Sequence, residues 1–132
     1  MSDKKFTDEE MQSLKDLQEG YLRVQARFGQ VSIAKLTLQC LKNSVPSEVP
    51  GIAFLSGGQS EIEATENLDL INKFNNTNFI MSYSYGRALQ QSALKFWSKD
   101  TKNIRGTQKV FNHRAKMNTL AAQGKWSRDL EI

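Results

Sequence analysis

The chain is poor in the residues that cross-link a fold, ligate soft metals or break helices: its 132 residues include one cysteine, one histidine and two prolines. A single thiol, Cys40, cannot pair within the chain, which excludes a disulfide scaffold and makes a reducing compartment the default. His113 and Cys40 alone do not make a zinc-type ligand set, so no metal centre is expected, and no cofactor motif is present. No run of eighteen apolar residues occurs, so no membrane-spanning helix is expected. Met1-Ser2-Asp3-Lys4-Lys5 leads into charge and not into the apolar stretch of a signal peptide, which points to the cytoplasm. Charge blocks are also missing. The 18 Lys and Arg and 14 Asp and Glu give a net charge of +4 but are scattered without aromatic interleaving, which reads as a solvated surface and not a nucleic-acid face. What remains is a chain of one-domain size, 15.0 kDa and 39% hydrophobic with a mean hydropathy of −0.54, enough for a core.

Thr7-Asp8-Glu9-Glu10 has the form of a capping box, with the Thr7 hydroxyl and the Glu10 carboxylate exchanging hydrogen bonds with each other's amides. Behind it Leu14, Leu17, Tyr21, Val24, Phe28 and Val31 recur at steps of three and four, a heptad-like seam suited to core packing or to self-association. Gly20 and Gly29 weaken this helix by about 1 kcal/mol each relative to alanine. Residues 1–30 are read as an N-terminal amphipathic, coiled-coil-like helix. A second helix follows from Ser32 to Asn43, its stripe of Ile33, Leu36, Leu38, Cys40 and Leu41 placing Cys40 as a small core residue. Val45-Pro46 and Val49-Pro50 stop it.

Gly51 to Leu55 is short and continuously apolar, as expected of a strand buried on both faces of a parallel sheet. Ser60-Glu61-Ile62-Glu63 is a second capping box, opening a helix that carries Ala64, Leu68, Leu70 and Ile71. Phe79 to Ser84 is a second strand. Arg87 to Trp97 forms a helix, and a last helix covers about Thr101 to Gln123 with Gly124 just past its end. Strands alternating with helices argue for an α/β fold of parallel βαβ units.

In a parallel sheet the turns after Leu55 and after Ser84 emerge on one edge. Both are glycine-containing and both lead into helices, whose N-termini each bring about half an elementary charge to that edge. Backbone N–H groups beside the Ser56 hydroxyl and the Arg87 guanidinium are the means of holding a phosphate, and on the residues alone this reading stands level with two flexible glycine turns. Elsewhere, Glu61 and Glu63 suit capping better than acid/base work, and His113 falls on the last helix as a surface residue.

The segment Val49-Pro50-Gly51-Ile52-Ala53-Phe54-Leu55-Ser56-Gly57-Gly58-Gln59-Ser60-Glu61 and the segment Ser82-Tyr83-Ser84-Tyr85-Gly86-Arg87-Ala88-Leu89-Gln90 resemble the C-terminal third of class I fructose-bisphosphate aldolases. Asn118-Thr119-Leu120-Ala121 and Gly124-Lys125 echo that family's last helix. The likeness runs from about Val31 to Trp126, leaving the first helix outside it. The resemblance implies a partial TIM (β/α)8 barrel over 31–128, its two parallel strands equivalent to strands seven and eight. It also implies that Ser56, Gly57, Gly86 and Arg87, with Ser84 through its backbone, hold a phosphate of fructose 1,6-bisphosphate or dihydroxyacetone phosphate. Scattered basic charge would help steer such sugar phosphates to the chain.

The family's Schiff-base lysine lies on a strand preceding this region, and Leu22 to Val31 bears no likeness to it. Lys35 and Lys42 fall on a helix, where an exposed amine stays protonated and is a poor nucleophile. The family's acid/base carboxylates and its C-terminal tail find no counterpart either, so no catalytic residue is assigned. The resemblance therefore implies a truncated aldolase-like module of glycolysis, gluconeogenesis or Calvin-cycle carbon metabolism that binds a sugar phosphate or an aldolase subunit. Two other readings stand beside it. One is aldolase activity completed in trans with a partner chain; the other is a structural or assembly protein with vestigial loops. Two parallel strands leave two open edges, which favours a homo-oligomer or association with another aldolase-like chain.

Overall fold

The computed structural model describes residues 7–131. It divides into two compact units, 1–33 and Ala34–Ile132. Helix α1 runs unbroken from Asp8 to Ser44. The expected capping box starts it: the Glu10 carboxylate accepts from the Thr7 amide at 2.8 Å, and the Glu10 amide donates to the Thr7 hydroxyl at 3.3 Å. Where the periodicity suggested two helices there is one, because no proline intervenes and Gly20 and Gly29 are tolerated inside it. The seam of Leu14, Leu17, Tyr21, Val24 and Phe28 is exposed, Phe28 by 75%.

In the second unit the end of α1 buries Ala34 and Leu38 but leaves Leu36 and Cys40 exposed. The expectation of Cys40 as a core residue is thus corrected: positions 34 and 38 lie one turn apart on the packed face, and position 40 is rotated away from both. Strand β1 (Gly51–Leu55) pairs in parallel with β2 (Ile80–Ser84), with Ala53 opposite Ser82 and Leu55 opposite Ser84. Helix α2 (Glu61–Phe74) connects them, α3 (Arg87–Trp97) and α4 (Ile104–Ala122) follow β2, and a 3-10 turn spans Arg128–Leu130.

Neither strand is buried on both faces. Residues 52 and 54 of β1, with Met81 and Tyr83 of β2, turn inward, and Met81 is fully buried. Gly51, Ala53, Leu55, Ile80, Ser82 and Ser84 make the opposite face, and all are exposed. The apolar run had suggested two covered faces, but the helices of this chain cover one. Leu68, Met117, Ala121 and Trp126 form the core, with Ile62, Tyr83, Tyr85 and Leu120 packed around it. The core thus lies between the sheet's inward face and α2 and α4. Asn72 ties these layers together, its Nδ2 donating to the carbonyls of Leu68, Met81 and Ala121. A Cβ on Gly51 would lie 2.9 Å from the Ile80 carbonyl oxygen, so the close approach of the two strands depends on glycine there.

Candidate anion-binding cleft

Both strands end at the same edge of the sheet, and the turns leaving them line one cleft of about 790 Å3. Ser56, Gly57, Ser84, Gly86 and Arg87 all border it, so the structure brings together every residue singled out for phosphate contact. Parallel pairing puts Leu55 opposite Ser84, and each strand is followed at once by its turn. A hydrogen-bonded tie holds the two turns: the buried Ser56 donates to the Ser84 carbonyl from its amide (3.4 Å) and from its hydroxyl (3.2 Å). Ser84 therefore serves the geometry through its carbonyl, and the Ser56 hydroxyl proton points to that carbonyl. Gly58 sits at φ +80°, a conformation that only glycine adopts without strain.

The two helix starts at this edge are not alike. At α2 the Ser60 hydroxyl accepts from the Glu63 amide at 3.2 Å, and the Glu63 carboxylate accepts from the Ser60 amide at 2.8 Å. Those hydrogen bonds from Ser60 hold the Glu63 carboxyl below its ordinary range. This terminus is thus satisfied by the chain's own carboxylate. At α3 the N-cap is Gly86, and no side chain caps the helix. Among the described residues neither the Gly57 nor the Gly86 amide meets a backbone carbonyl. Among the described residues the cleft accordingly has one uncapped helix N-terminus and one exposed guanidinium, that of Arg87, as its only lining cation. Glu63 is the only acid among the described residues that line it, and it is spent on the cap.

Among the described residues no lysine lines the cleft. Lys35 instead stacks over the Phe74 ring, with Nζ 4.8 Å from its centroid. Among the described residues no group of His, Cys, Asp and Glu is placed to hold a metal ion, and no helix is long and apolar enough to cross a membrane.

The family model for fructose-bisphosphate aldolase class-I, described as glycolytic, matches residues 18–131. This chain belongs to the class I fructose-bisphosphate aldolase family. The family match opens at Gln18, inside the helix that the sequence reading had left outside the likeness. A probable fructose-bisphosphate aldolase class 1 of Xylella fastidiosa is 50% identical over 95 residues, covering 71% of this chain and 28% of that protein. The cytoplasmic aldolase isozyme of Spinacia oleracea is 50% identical over the same length, covering 71% of this chain and 27% of the isozyme. Among solved structures, the aldolase of Plasmodium falciparum, determined with TRAP and a small-molecule inhibitor, superimposes with a TM-score of 0.70 at 41% identity. That match covers 74% of this chain and 28% of the Plasmodium chain. The chain thus spans little more than a quarter of the aldolases it matches.

Two features of this aldolase segment escaped the sequence reading. Glu61, read as a capping residue, reaches across to α3, where its carboxylate accepts from the Ser92 amide at 3.1 Å and from the Ser92 hydroxyl. His113, read as a surface residue, is three-quarters buried beside Glu131, and Arg114 next to it is buried and paired with the same carboxylate. Only the i, i+1 pair of basic residues on a helix with a buried face hinted at this, and that signal is weak.

Proposed function

We propose that this aldolase segment binds a sugar phosphate, fructose 1,6-bisphosphate or dihydroxyacetone phosphate, at the edge where β1 and β2 end, without carrying out aldol cleavage itself. In this reading the Gly57 and Gly86 amides and the Arg87 guanidinium meet the phosphate, and the Ser56 hydroxyl rotates from the Ser84 carbonyl to join them. Ser84 keeps the two turns in register. One observation carries the reading: an uncapped helix N-terminus, a free guanidinium and two unpaired glycine amides face a single cleft. The site corresponds to the eighth-strand end of a (β/α)8 barrel, of which this chain would supply two βα units. A Schiff base needs an amine at the substrate carbonyl, and the cleft offers none.

Calorimetric titration with dihydroxyacetone phosphate tests this. Wild type should bind, and Arg87→Ala should weaken binding by roughly tenfold or more, the scale of one charge-assisted contact. Borohydride treatment of the mixture should leave no covalent adduct. Absence of binding at millimolar ligand would mean that the turns are vestigial in an assembly protein, and a trapped adduct would mean a competent lysine.

A second reading, association with another aldolase-like chain, draws on the bare sheet. One face of β1 and β2 is uncovered and two strand edges are open. Beside β2 and α4 lies a groove of about 340 Å3 lined by Tyr85 and Asn118, whose buried hydroxyl and amide nitrogen lack partners. Burying such groups unpaired is costly, and a further strand or helix packed there would supply acceptors. The exposed seam of α1 is a second surface for homo-oligomer formation. Activity completed in trans would then appear only when an N-terminal aldolase segment is added.

A further inference from the structure

A second group of cations lies on α4, in a pocket that does not include the cleft residues. Arg114 is 95% buried, and its guanidinium grips the Glu131 carboxylate through Nη1 at 3.1 Å and Nη2 at 2.5 Å. The Trp126 indole donates to the same carboxylate at 2.8 Å, and His113 Nε2 lies 3.5 Å from it. Three groups from two parts of the chain therefore converge on one carboxylate. Burial pushes the Glu131 carboxyl up, but bonding to Arg114, Trp126 and His113 outweighs it and leaves it below its ordinary range. A site that holds an acid ionised while burying it is shaped for a carboxylate.

Glu131 reaches the cluster from a short segment with two turn hydrogen bonds of its own, from the Leu130 amide to the Ser127 carbonyl and from the Glu131 amide to the Arg128 carbonyl, both at 3.1 Å. Trp126 is pinned, its amide donating to Asp69 at 2.9 Å and its carbonyl accepting from Lys73 at 2.9 Å. Between Trp126 and Glu131 stand four exposed residues, 127–130, with one 3-10 turn. The cationic site, by contrast, is built on the middle of a 19-residue helix. Next to Glu131 is a pocket of about 410 Å3, lined by Lys109, His113 and Arg114, with Ile62 and Val110 as apolar walls and with Glu61, whose carboxylate is engaged by the Ser92 amide and hydroxyl, also bordering it. Arg114 Nε is buried without a hydrogen-bond partner, so the cluster retains a donor that Glu131 leaves unused. A buried guanidinium also cannot go without an anion, so losing Glu131 creates a demand for a replacement.

We propose that His113, Arg114 and Trp126 form a binding site for a small organic dicarboxylate, and that Glu131 is its displaceable internal occupant. One ligand carboxylate takes the place of Glu131 on Arg114 and Trp126. The second reaches towards Lys109 across the neighbouring pocket. The 3-10 turn opens as the strap carrying Glu131 leaves.

Succinate titration followed by the Trp126 indole N–H resonance tests the site in the full chain, with Trp97→Phe to leave one indole. Glu131→Ala should bind succinate about tenfold more tightly than wild type, since no internal carboxylate competes. Lys109→Ala in that background should weaken succinate by several-fold while leaving monovalent acetate unaffected, and Arg87→Ala should change nothing. If Glu131→Ala proves unstable, wild type at high succinate should still shift the indole resonance towards a single saturating value. Equal succinate affinity in wild type and Glu131→Ala would overturn the proposal, as would an unmoved indole resonance in both.

Discussion

Leu68 is fully buried and sits among Met117, Ala121 and Trp126, where three sequence-distant segments meet. Truncation to alanine leaves a cavity that these neighbours fill only in part. Leu68→Ala should cost about 2–5 kcal/mol in urea unfolding of the chain. Glu131 makes stability depend on pH. Its folded-state value is below the unfolded 4.5, so its contribution is complete above 4.5 and is lost as pH falls through the lower folded value. Wild type should therefore lose stability in acid more steeply than Glu131→Gln, which lacks that titration, as thermal unfolding between about pH 3 and 6 would show. Neither residue's role is legible locally. Leu68 could be assigned to a buried face from its spacing, but nothing near Arg114 in the sequence announces a partner 17 residues on.

At the scale of elements, the two helices leaving the sheet divide the work. Helix α2 carries its own anion at its N-terminus, and α3 does not. Ser60→Ala should thus destabilise the chain by about 1 kcal/mol through loss of the cap, measured as a shift in the urea midpoint. Sequence alone located both strands and all of α3 and found both capping boxes, because apolar runs, proline stops and Ser-x-x-Glu spacing are local signals. It assigned about half an elementary charge to each helix start. The capping box at Ser60 was legible; that no side chain caps α3 at Gly86 was decided by the tertiary structure. The sequence reading also divided α1 in two, since side-chain periodicity shifts phase near Ser32 while the backbone hydrogen bonding continues.

For the molecule as a whole, the decisive fact is a sheet with one covered face. Ala53, Leu55, Ile80 and Ser82 face outward and are exposed among the described residues. The amides of β1 and β2 should accordingly gain hydrogen-exchange protection when an N-terminal aldolase segment is supplied, and the mass in solution should rise by that of the segment. Unchanged protection and mass would leave the chain as a self-contained binder.

From sequence alone came the family, the order of strands and helices, and the identity of the residues around the cleft, because these depend on spacing and composition within short stretches. Tertiary structure alone decided which surfaces stay bare, that Cys40 faces out, that the Ser56 hydroxyl is turned to Ser84, and that Arg114 closes on Glu131. Each of those depends on contacts between residues far apart in the chain, and the free energy of burial and ion pairing is set by such contacts.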